Sequence, residues 1–392
     1  MQVRFEYVHP LSVSKHLTVS CQPFQLRMTQ VTCGLLIWAA PGPALNLTLE
    51  CDPFTLVFPT SPVASLPMSD LSISVAMCTF NGCRFLGAQL ESIAAQSHPP
   101  NELIICDDGS SDHSGKIVEQ FAGKVGFPVK FAVNQTNLGS TKNFEKAIGL
   151  CQSSLVVLAD QDDIWYRHKL ERIQQSFHNS PTVVAVFSDA DLIDQDGNAL
   201  HRRLWPTFGF TPAEQKTFDQ GNALSVLIRH PVVTGACMAF RRSLYTALAP
   251  IPENEIHDQW LSFLLAAMGR IGLIDEPLLQ YRRHAHQQIG PGPANFRDQL
   301  TAAQGRGADF YAQEVRRFRQ LQERLEEQSC VFPDADHIRV TIENKLLHVT
   351  HRAQLPRGRA ARVPQILREA VNRNYWRYSG GWVSIVKDLV RR

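Results

Sequence analysis

An α/β fold, with a mostly parallel sheet flanked by helices and a helical extension at its C-terminal end, follows from three features of this 392-residue chain. Short apolar runs alternate with stretches of helical period from Ile73 to Tyr281. Several runs lack polar alternation, as strands covered on both faces do. Acidic residues follow two of them directly, at Asp107-Asp108 and at Asp160-Gln161-Asp162-Asp163. Such alternation implies right-handed crossovers and a sheet whose ligand chemistry gathers along one edge.

The elements read as follows. Residues 1–67 hold irregular apolar patches and several prolines without a sustained period. They are expected to be a disordered arm, or translated upstream sequence if Met68 is the true start. Ile73–Cys78 forms a strand and Thr79-Phe80-Asn81-Gly82 a turn. Phe85, Leu86, Leu90, Ile93 and Ala94 recur at helical spacing. Leu103–Cys106 is a second strand, and Ser111 or Asp112 caps a helix through Ile117 and Phe121. Val129–Val133 is a third strand, Asn143–Leu150 a third helix and Leu155–Ala159 a fourth strand. Val183–Phe187 runs into Ser188-Asp189-Ala190-Asp191, and Asp194–Asn198 reads as a hairpin turn. Residues 201–218 are expected to be an irregular loop over the site. Thr234–Phe240 leads from small residues into a strand, His257 opens an amphipathic helix, and Ile271–Ile274 and Leu278–Tyr281 read as two short strands.

Composition narrows the class. Hydrophobic residues make up 44% and charged residues 19%, the balance of a soluble globular protein. A formal charge of +2 gives no reason to expect nucleic acid as a partner. Nine cysteines without a C-x-x-C pair fit buried thiols in a reducing cytoplasm. The most apolar stretch, Val31–Leu49, is broken by Pro41 and Pro43, so no spanning helix is expected.

The two acidic clusters carry the chemistry. Asp160 and Asp162 flank one residue, so both can reach one hard cation. Mg or Mn held by one or two carboxylates completes its shell with substrate phosphates and water. Taken alone, the cluster also suits the positive end of the following helix, and Asp107-Asp108-Gly109 suits an ordinary turn. Two acidic strand ends on one edge favour a nucleotide-diphosphate site over two coincidental turns.

In their order from Ser72 to Gly290, these blocks resemble the family 2 inverting glycosyltransferases, whose fold is the glycosyltransferase A type, a Rossmann-like nucleotide-diphospho-sugar transferase sheet. Ser74–Asn81 resembles the strand whose end, at Thr79 and Asn81, contacts the donor nucleotide. Ile105–Asp112 resembles the base-recognition element, with Asp107 and Asp108, the latter as partner of a pyrimidine imide. Asn137-Leu138-Gly139 with Asn143 resembles the segment under the donor. Asp160-Gln161-Asp162 resembles the metal motif, with Asp160 also facing the donor, Asp258 the catalytic-base position and His284 the residue that closes over the diphosphate and completes the metal shell. Gln280-Tyr281-Arg282-Arg283-His284 departs from the Q-x-x-R-W of processive synthases. Leu158–Trp165 and Tyr281–His284 look most like bacterial rhamnosyltransferases, which implies dTDP-rhamnose as donor and a surface polysaccharide or lipid-linked oligosaccharide as acceptor.

Beyond Gly290 the rhythm becomes helical. Phe310–Leu325, Ile338–Leu347 and Ile366–Tyr375 carry helical periods, and arginines from Arg352 to Arg377 alternate with Trp376, Tyr378 and Trp382. Such helices suit peripheral contact with the inner face of the plasma membrane, and equally a bundle docked on the catalytic domain with a solvated basic face. Two other classes compete with the transferase reading. A sugar-nucleotide nucleotidyltransferase calls for a glycine-rich basic loop where Thr79–Gly82 stands, and a carbohydrate-binding protein needs no metal. A zinc site at His284 and His286 lacks a third nitrogen or sulfur ligand nearby in sequence.

Overall fold

The computed structural model describes residues 2–7, 15–20, 71–284 and 308–391. Met68, His286 and most of the segment expected to be an arm lie outside the described residues. At the N-terminal end, β1 (Gln2–Tyr7) and β2 (Lys15–Ser20) pair antiparallel, Gln2 opposite Ser20 and Tyr7 opposite Lys15.

From residue 71 the chain builds a nine-stranded sheet. Its elements are β3 (Ile73–Thr79), α1 (Cys83–Ala94), β4 (Glu102–Asp107), α2 (Ser114–Ala122), β5 (Val129–Val133), α3 (Gly139–Leu150), β6 (Leu155–Ala159), β7 (Ile164–Trp165) and α4 (Lys169–Asn179). They continue with β8 (Val183–Ile193), β9 (Ala199–Arg203), α5 (Leu204–Thr207), α6 (Pro212–Asp219), α7 (Ala223–Leu227), β10 (Met238–Arg241), α8 (Tyr245–Leu248), α9 (His257–Met268) and β11 (Arg270–Arg282). The strand order is β5-β4-β3-β6-β10-β8-β11-β7, with β9 paired to β8. Strands β5, β4, β3 and β6 run parallel, β10 runs against both its neighbours, and β8 and β11 are again parallel to each other. The C-terminal ends of β3, β4, β6 and β8 therefore share one edge, where open α/β sheets bind ligands.

The alternation of Cβ atoms along a strand explains two cores from one sequence. Val156 and Leu158 of β6 join one core, with Ala76, Ile104 and Phe240. Leu155, Val157 and Ala159 face the other, with Val75, Met77, Leu103 and Ile105. Apart from Ser74, whose hydroxyl is hydrogen-bonded to Glu102, the buried interior of these strands is apolar on both faces, which is why they read as apolar runs.

Two expectations are corrected. Residues 201–218 are ordered rather than a loop: His201 to Arg203 belong to β9, followed by α5 and most of α6. Thr211 opens α6 with a capping box, accepting from the Glu214 amide while Glu214 accepts from the Thr211 amide. Phe210 and Phe218 then bury against Phe187 and Trp205. Second, β11 is one strand through 271–281, not two, with register shifts at Ile274/Pro277 and Pro277/Gln280, where proline withholds a ladder donor.

The C-terminal elements are α10 (Ala308–Glu327), α11 (Ala335–Ala353), α12 (Arg359–Val371), α13 (Asn374–Tyr378) and α14 (Trp382–Val390). Phe318, Leu321 and Leu325 of α10 and Ile338 and Ile342 of α11 join the core under the sheet. Full burial of such side chains is worth about 1.5–3 kcal/mol each, so α10 and α11 are docked on the α/β unit. A separate cluster of Leu355, Ile366, Tyr375 and Ile385 holds the last three helices together. Among the described residues no helix is long and apolar enough to cross a membrane.

Candidate active site

Strand ends set the site's floor. Thr79, at the end of β3, donates its hydroxyl to Gln161 Oε1 at 2.7 Å, and the Phe80 amide donates to the same oxygen at 2.9 Å. Gln161 Nε2 returns a bond to the Phe80 carbonyl at 3.2 Å. The residue between Asp160 and Asp162 thus ties the end of β6 to the end of β3. Gly82 leaves room for it, since a Cβ there would run into the Gln161 amide.

Beside this brace, Asn81 adopts φ 47°, a conformation in which Asn is favoured among residues with a Cβ. Its Oδ1 accepts from the Ser111 amide at 2.9 Å, joining the loops after β3 and β4. Asp107 accepts from the amides of Gly109 (3.1 Å) and Ser110 (2.7 Å) and from the Ser110 hydroxyl (2.6 Å). Asp108 accepts from Asn134 Nδ2 (2.8 Å) and from the amides of Leu138 (2.7 Å) and Gly139 (2.9 Å). Asn143 donates to the Cys106 carbonyl at 2.8 Å and accepts from Asn134 at 2.9 Å. All four sequence-selected residues of this half, Asp107, Asp108, Gly139 and Asn143, therefore stand in one connected network. Both buried carboxylates are engaged in shaping loops: Asp107 closes the turn that the Asp-Asp-Gly pattern suits, whereas the hold of Asp108 on the 134–139 loop is not disclosed by that pattern. Gly139 sits at φ 77°, where any side chain is strained.

The second half lies across the Gln161 brace. Asp162 Oδ2 meets His284 Nε2 at 2.7 Å, and the His284 ring lies 5.0 Å from Phe85. Burial, and after it the negative charges of Asp162 and Asp258, push the Asp160 carboxyl up to about 7. Asp258, from the first turn of α9, is thus within electrostatic reach of the Asp160–Asp162 pair. Its Oδ2 accepts from the Gly235 amide at 3.0 Å, whereas its buried Oδ1 has no hydrogen-bond partner. One oxygen is anchored and the other is unpartnered. Cys78, beneath the floor, has its thiol raised by burial, by Cys106, and by both Asp160 and Asp108, which places the two carboxylate clusters over one patch of sheet edge.

Several residues of this half were not selected from sequence. Arg282 donates its amide to Asp163 Oδ1 (3.1 Å) and its Nε to the Asp162 carbonyl (2.8 Å), fixing the acidic loop against β11. Its guanidinium lies 4.8 Å from the Phe85 ring centre. Lys169 is fully buried, donates to the Ala236 carbonyl at 2.6 Å and lies 4.1 Å from the Trp165 ring centre. Arg317 of α10 hydrogen-bonds Gln259 and lies 3.5 Å from Glu255, on either side of Asp258 in sequence. The only sequence signal for Lys169 and Arg282 was their closeness to the acidic motif and to His284.

A divalent ion fits this set in one way. Among the described residues no three His, Cys, Asp or Glu side chains already gather as a metal cage. Of the expected ligands, Asp162 and His284 are in contact and Asp160 lies within electrostatic reach of Asp162; two carboxylates and an imidazole are the kind of donors that Mg or Mn accepts when phosphates and water fill the rest of its shell.

Comparison with known proteins places the α/β region in a family. Residues 74–248 match the family described as glycosyl transferase family 2. An uncharacterized glycosyltransferase of Nostoc sp. is 29% identical over 220 residues, 55% of this chain and 65% of its own. An uncharacterized Mycobacterium tuberculosis protein is 26% identical over 217 residues, 59% of its length. This chain thus spans less than two thirds of either relative. The Escherichia coli UDP-Glc:alpha-D-GlcNAc-diphosphoundecaprenol beta-1,3-glucosyltransferase WfgD is 29% identical over 104 residues, 26% of this chain and 40% of its own. Among solved structures, Staphylococcus aureus TarS 1–349 with UDP is 14% identical, covers 78% of this chain and 89% of its own, and has a TM-score of 0.43.

Proposed function

Residues 74–248 are a glycosyl transferase family 2 domain, and from that premise we propose that the protein is an inverting, metal-dependent glycosyltransferase. It moves a sugar from a nucleoside diphosphate to a hydroxyl of a growing surface polysaccharide or lipid-linked oligosaccharide. The observation that supports this reading best is Asp258, with Oδ2 anchored by Gly235 and Oδ1 open beside the Asp160–Asp162 pair.

In this reading Asp160, Asp162 and His284 hold Mg or Mn, which offsets the charge of the departing diphosphate. Asp107, Asp108, Gly139 and Asn143 hold the loops that line the nucleotide, and Thr79 and Asn81 close its floor. Asp258 Oδ1 accepts the acceptor's hydroxyl proton on the face opposite the leaving group. General-base assistance of this kind gives on the order of 10²–10⁴-fold. An inverting displacement with oxocarbenium character asks for one such base. The donor we assign is dTDP-rhamnose, on the resemblance of Leu158–Trp165 and Tyr281–His284 to rhamnosyltransferases.

The test incubates the protein with a panel of dTDP-, UDP- and GDP-sugars and measures released nucleoside diphosphate with Mn, with Mg and with chelator. Release that requires the metal supports the reading, and its donor preference decides the sugar. No release from any donor, with and without glycan acceptors, overturns it.

A lipid-linked acceptor also gives the C-terminal helices a role. Between residues 354 and 391 the carboxylates are Glu369 and Asp388, both buried and ion-paired. The exposed charges there are Arg357, Arg359, Arg368, Arg373 and Arg377. Val363, Leu367 and Val371 form an exposed apolar stripe on α12, and Trp382 is 68% exposed. Such a surface suits an anionic membrane. Failure to sediment with anionic vesicles at low salt would remove this part of the reading while leaving the transferase chemistry standing.

A further inference from the structure

Lys169 is a buried cation without an assigned task. It opens α4, nine residues beyond Asp160, and has no exposed surface. Burying a charge is costly unless it is paired and hydrogen-bonded, so its partners are informative. Its ammonium donates to the Ala236 carbonyl at 2.6 Å, faces the Trp165 ring at 4.1 Å, and lies within electrostatic reach of Asp160 and Asp163. Ala236 is the middle residue of the 3₁₀ turn Gly235–Cys237, which precedes β10. The preceding residue of that turn, Gly235, donates its amide to Asp258 Oδ2 at 3.0 Å. The turn also has no slack on its other side: a Cβ at Gly235 would lie 2.8 Å from His257 Nε2 and 3.5 Å from the Asp258 Cβ. His257 is itself held by stacking on Phe144 at 4.1 Å.

We propose that Lys169 is a positioning residue that braces the acidic metal loop against the 235–237 turn, so that one buried cation sets both the Asp160 side of the site and the orientation of Asp258. The link is short and made of rigid parts, namely an ammonium, a carbonyl, one peptide unit, an amide and a carboxylate. Gln161 braces the same loop on the nucleotide side. Lys169 braces it on the side of the base. Because Asp258 is reached through backbone rather than through a second side chain, a small shift of the turn moves its open oxygen relative to the acceptor. A misplacement of about 1 Å can cost 10²-fold in rate.

This inference rests on the reading of Asp258 as the base, and its test separates the two. In Lys169→Met, which keeps the length and removes the charge, amide hydrogen exchange across residues 234–238 should quicken. Transfer kcat should fall on the order of 10²-fold, with donor KM changing by less than about threefold, because the nucleotide half is held by the Gln161 and Asp108 networks. Unchanged exchange in that segment overturns the brace. Faster exchange with kcat intact overturns the coupling to Asp258, as does a loss confined to donor KM. If Lys169→Met fails to fold, Gly235→Ala tests the far end of the same link. It should reproduce the kcat-selective loss, and a kcat within threefold of wild type overturns the proposal. Absence of transfer in the wild-type protein sinks the base assignment instead, while hydrogen exchange still decides whether the brace exists.

Discussion

The half of the sheet edge that holds Asp160, Asp163 and Asp258 and the C-terminal helices both take carboxylates out of water, and they treat them in opposite ways. In the helices every buried carboxylate pair is satisfied. Asp388 accepts from Tyr311 (2.9 Å), Tyr375 (2.7 Å) and two nitrogens of Arg352 (2.7 and 3.1 Å). Glu369 accepts from His348, His351 and Asn374, bonds that overcome burial and draw its carboxyl down to about 2. At the sheet edge, Asp160 is pushed up to about 7, burial drives the Asp163 carboxyl well up, and Asp163 Oδ2 and Asp258 Oδ1 have no hydrogen-bond partner. The first arrangement fastens helices. The second leaves carboxylate oxygens buried without partners, which is the pattern of a functional site rather than a scaffold.

The contrast can be broken from either side. The largest effect belongs to Asp258→Asn, which should lower turnover on the order of 10²–10⁴-fold while the thermal midpoint and donor affinity stay near wild type. A near-normal rate would remove the base. Asp388→Ala should do the converse. Leaving Arg352 buried without its partner costs about 3–5 kcal/mol in comparable cases, read in a denaturant melt, with the rate per folded molecule retained. A third change is Gly82→Ala, which displaces the Gln161 amide from Thr79 and Phe80. Hydrogen bonds of this part-exposed kind are worth about 0.5–1.5 kcal/mol each, and the metal-dependent donor KM should rise with their loss.

The smallest effect is the dependence on pH, and its sign differs between the two regions. Asp160 binds its proton more tightly folded than unfolded, so the sheet edge loses stability as pH rises from about 4 to about 7. Added Mn or Mg should reverse that loss. Glu369 binds its proton less tightly folded, so its contribution is complete above 4.5 and is lost as pH falls toward 2. Hydrogen exchange corrected for intrinsic rate, followed separately in residues 155–165 and 345–390, checks both. Parallel responses in the two segments would show that the contrast has no thermodynamic weight.

Much of this was legible in the chain alone because its signals are local. Strands buried on both faces must be apolar throughout, so Ile73–Cys78, Leu103–Cys106 and Leu155–Ala159 announce themselves. Asp160 and Asp162 flag a site because their spacing suits one cation whatever surrounds them. Residues 201–218 misled because a capping box and three aromatic side chains act there without a long period, and β11 misled because Pro277 interrupts its pattern without ending the strand.

Other features depended on segments distant in sequence. Asp107 and Asp108 look alike on paper, yet one closes its own turn and the other holds a loop some thirty residues away. Beyond its closeness to the acidic motif Lys169 is unmarked in the sequence, because its meaning lies in the Ala236 carbonyl it meets. Local pattern specifies which residues are apolar, acidic or turn-forming, and so determined the sheet, the acidic edge and the helical tail. Which carboxylates would be saturated and which left open was decided only when the folded chain brought donors such as Gly235, Leu138 and Arg352 to some oxygens and none to Asp258 Oδ1, since hydrogen bonding is set by proximity in space.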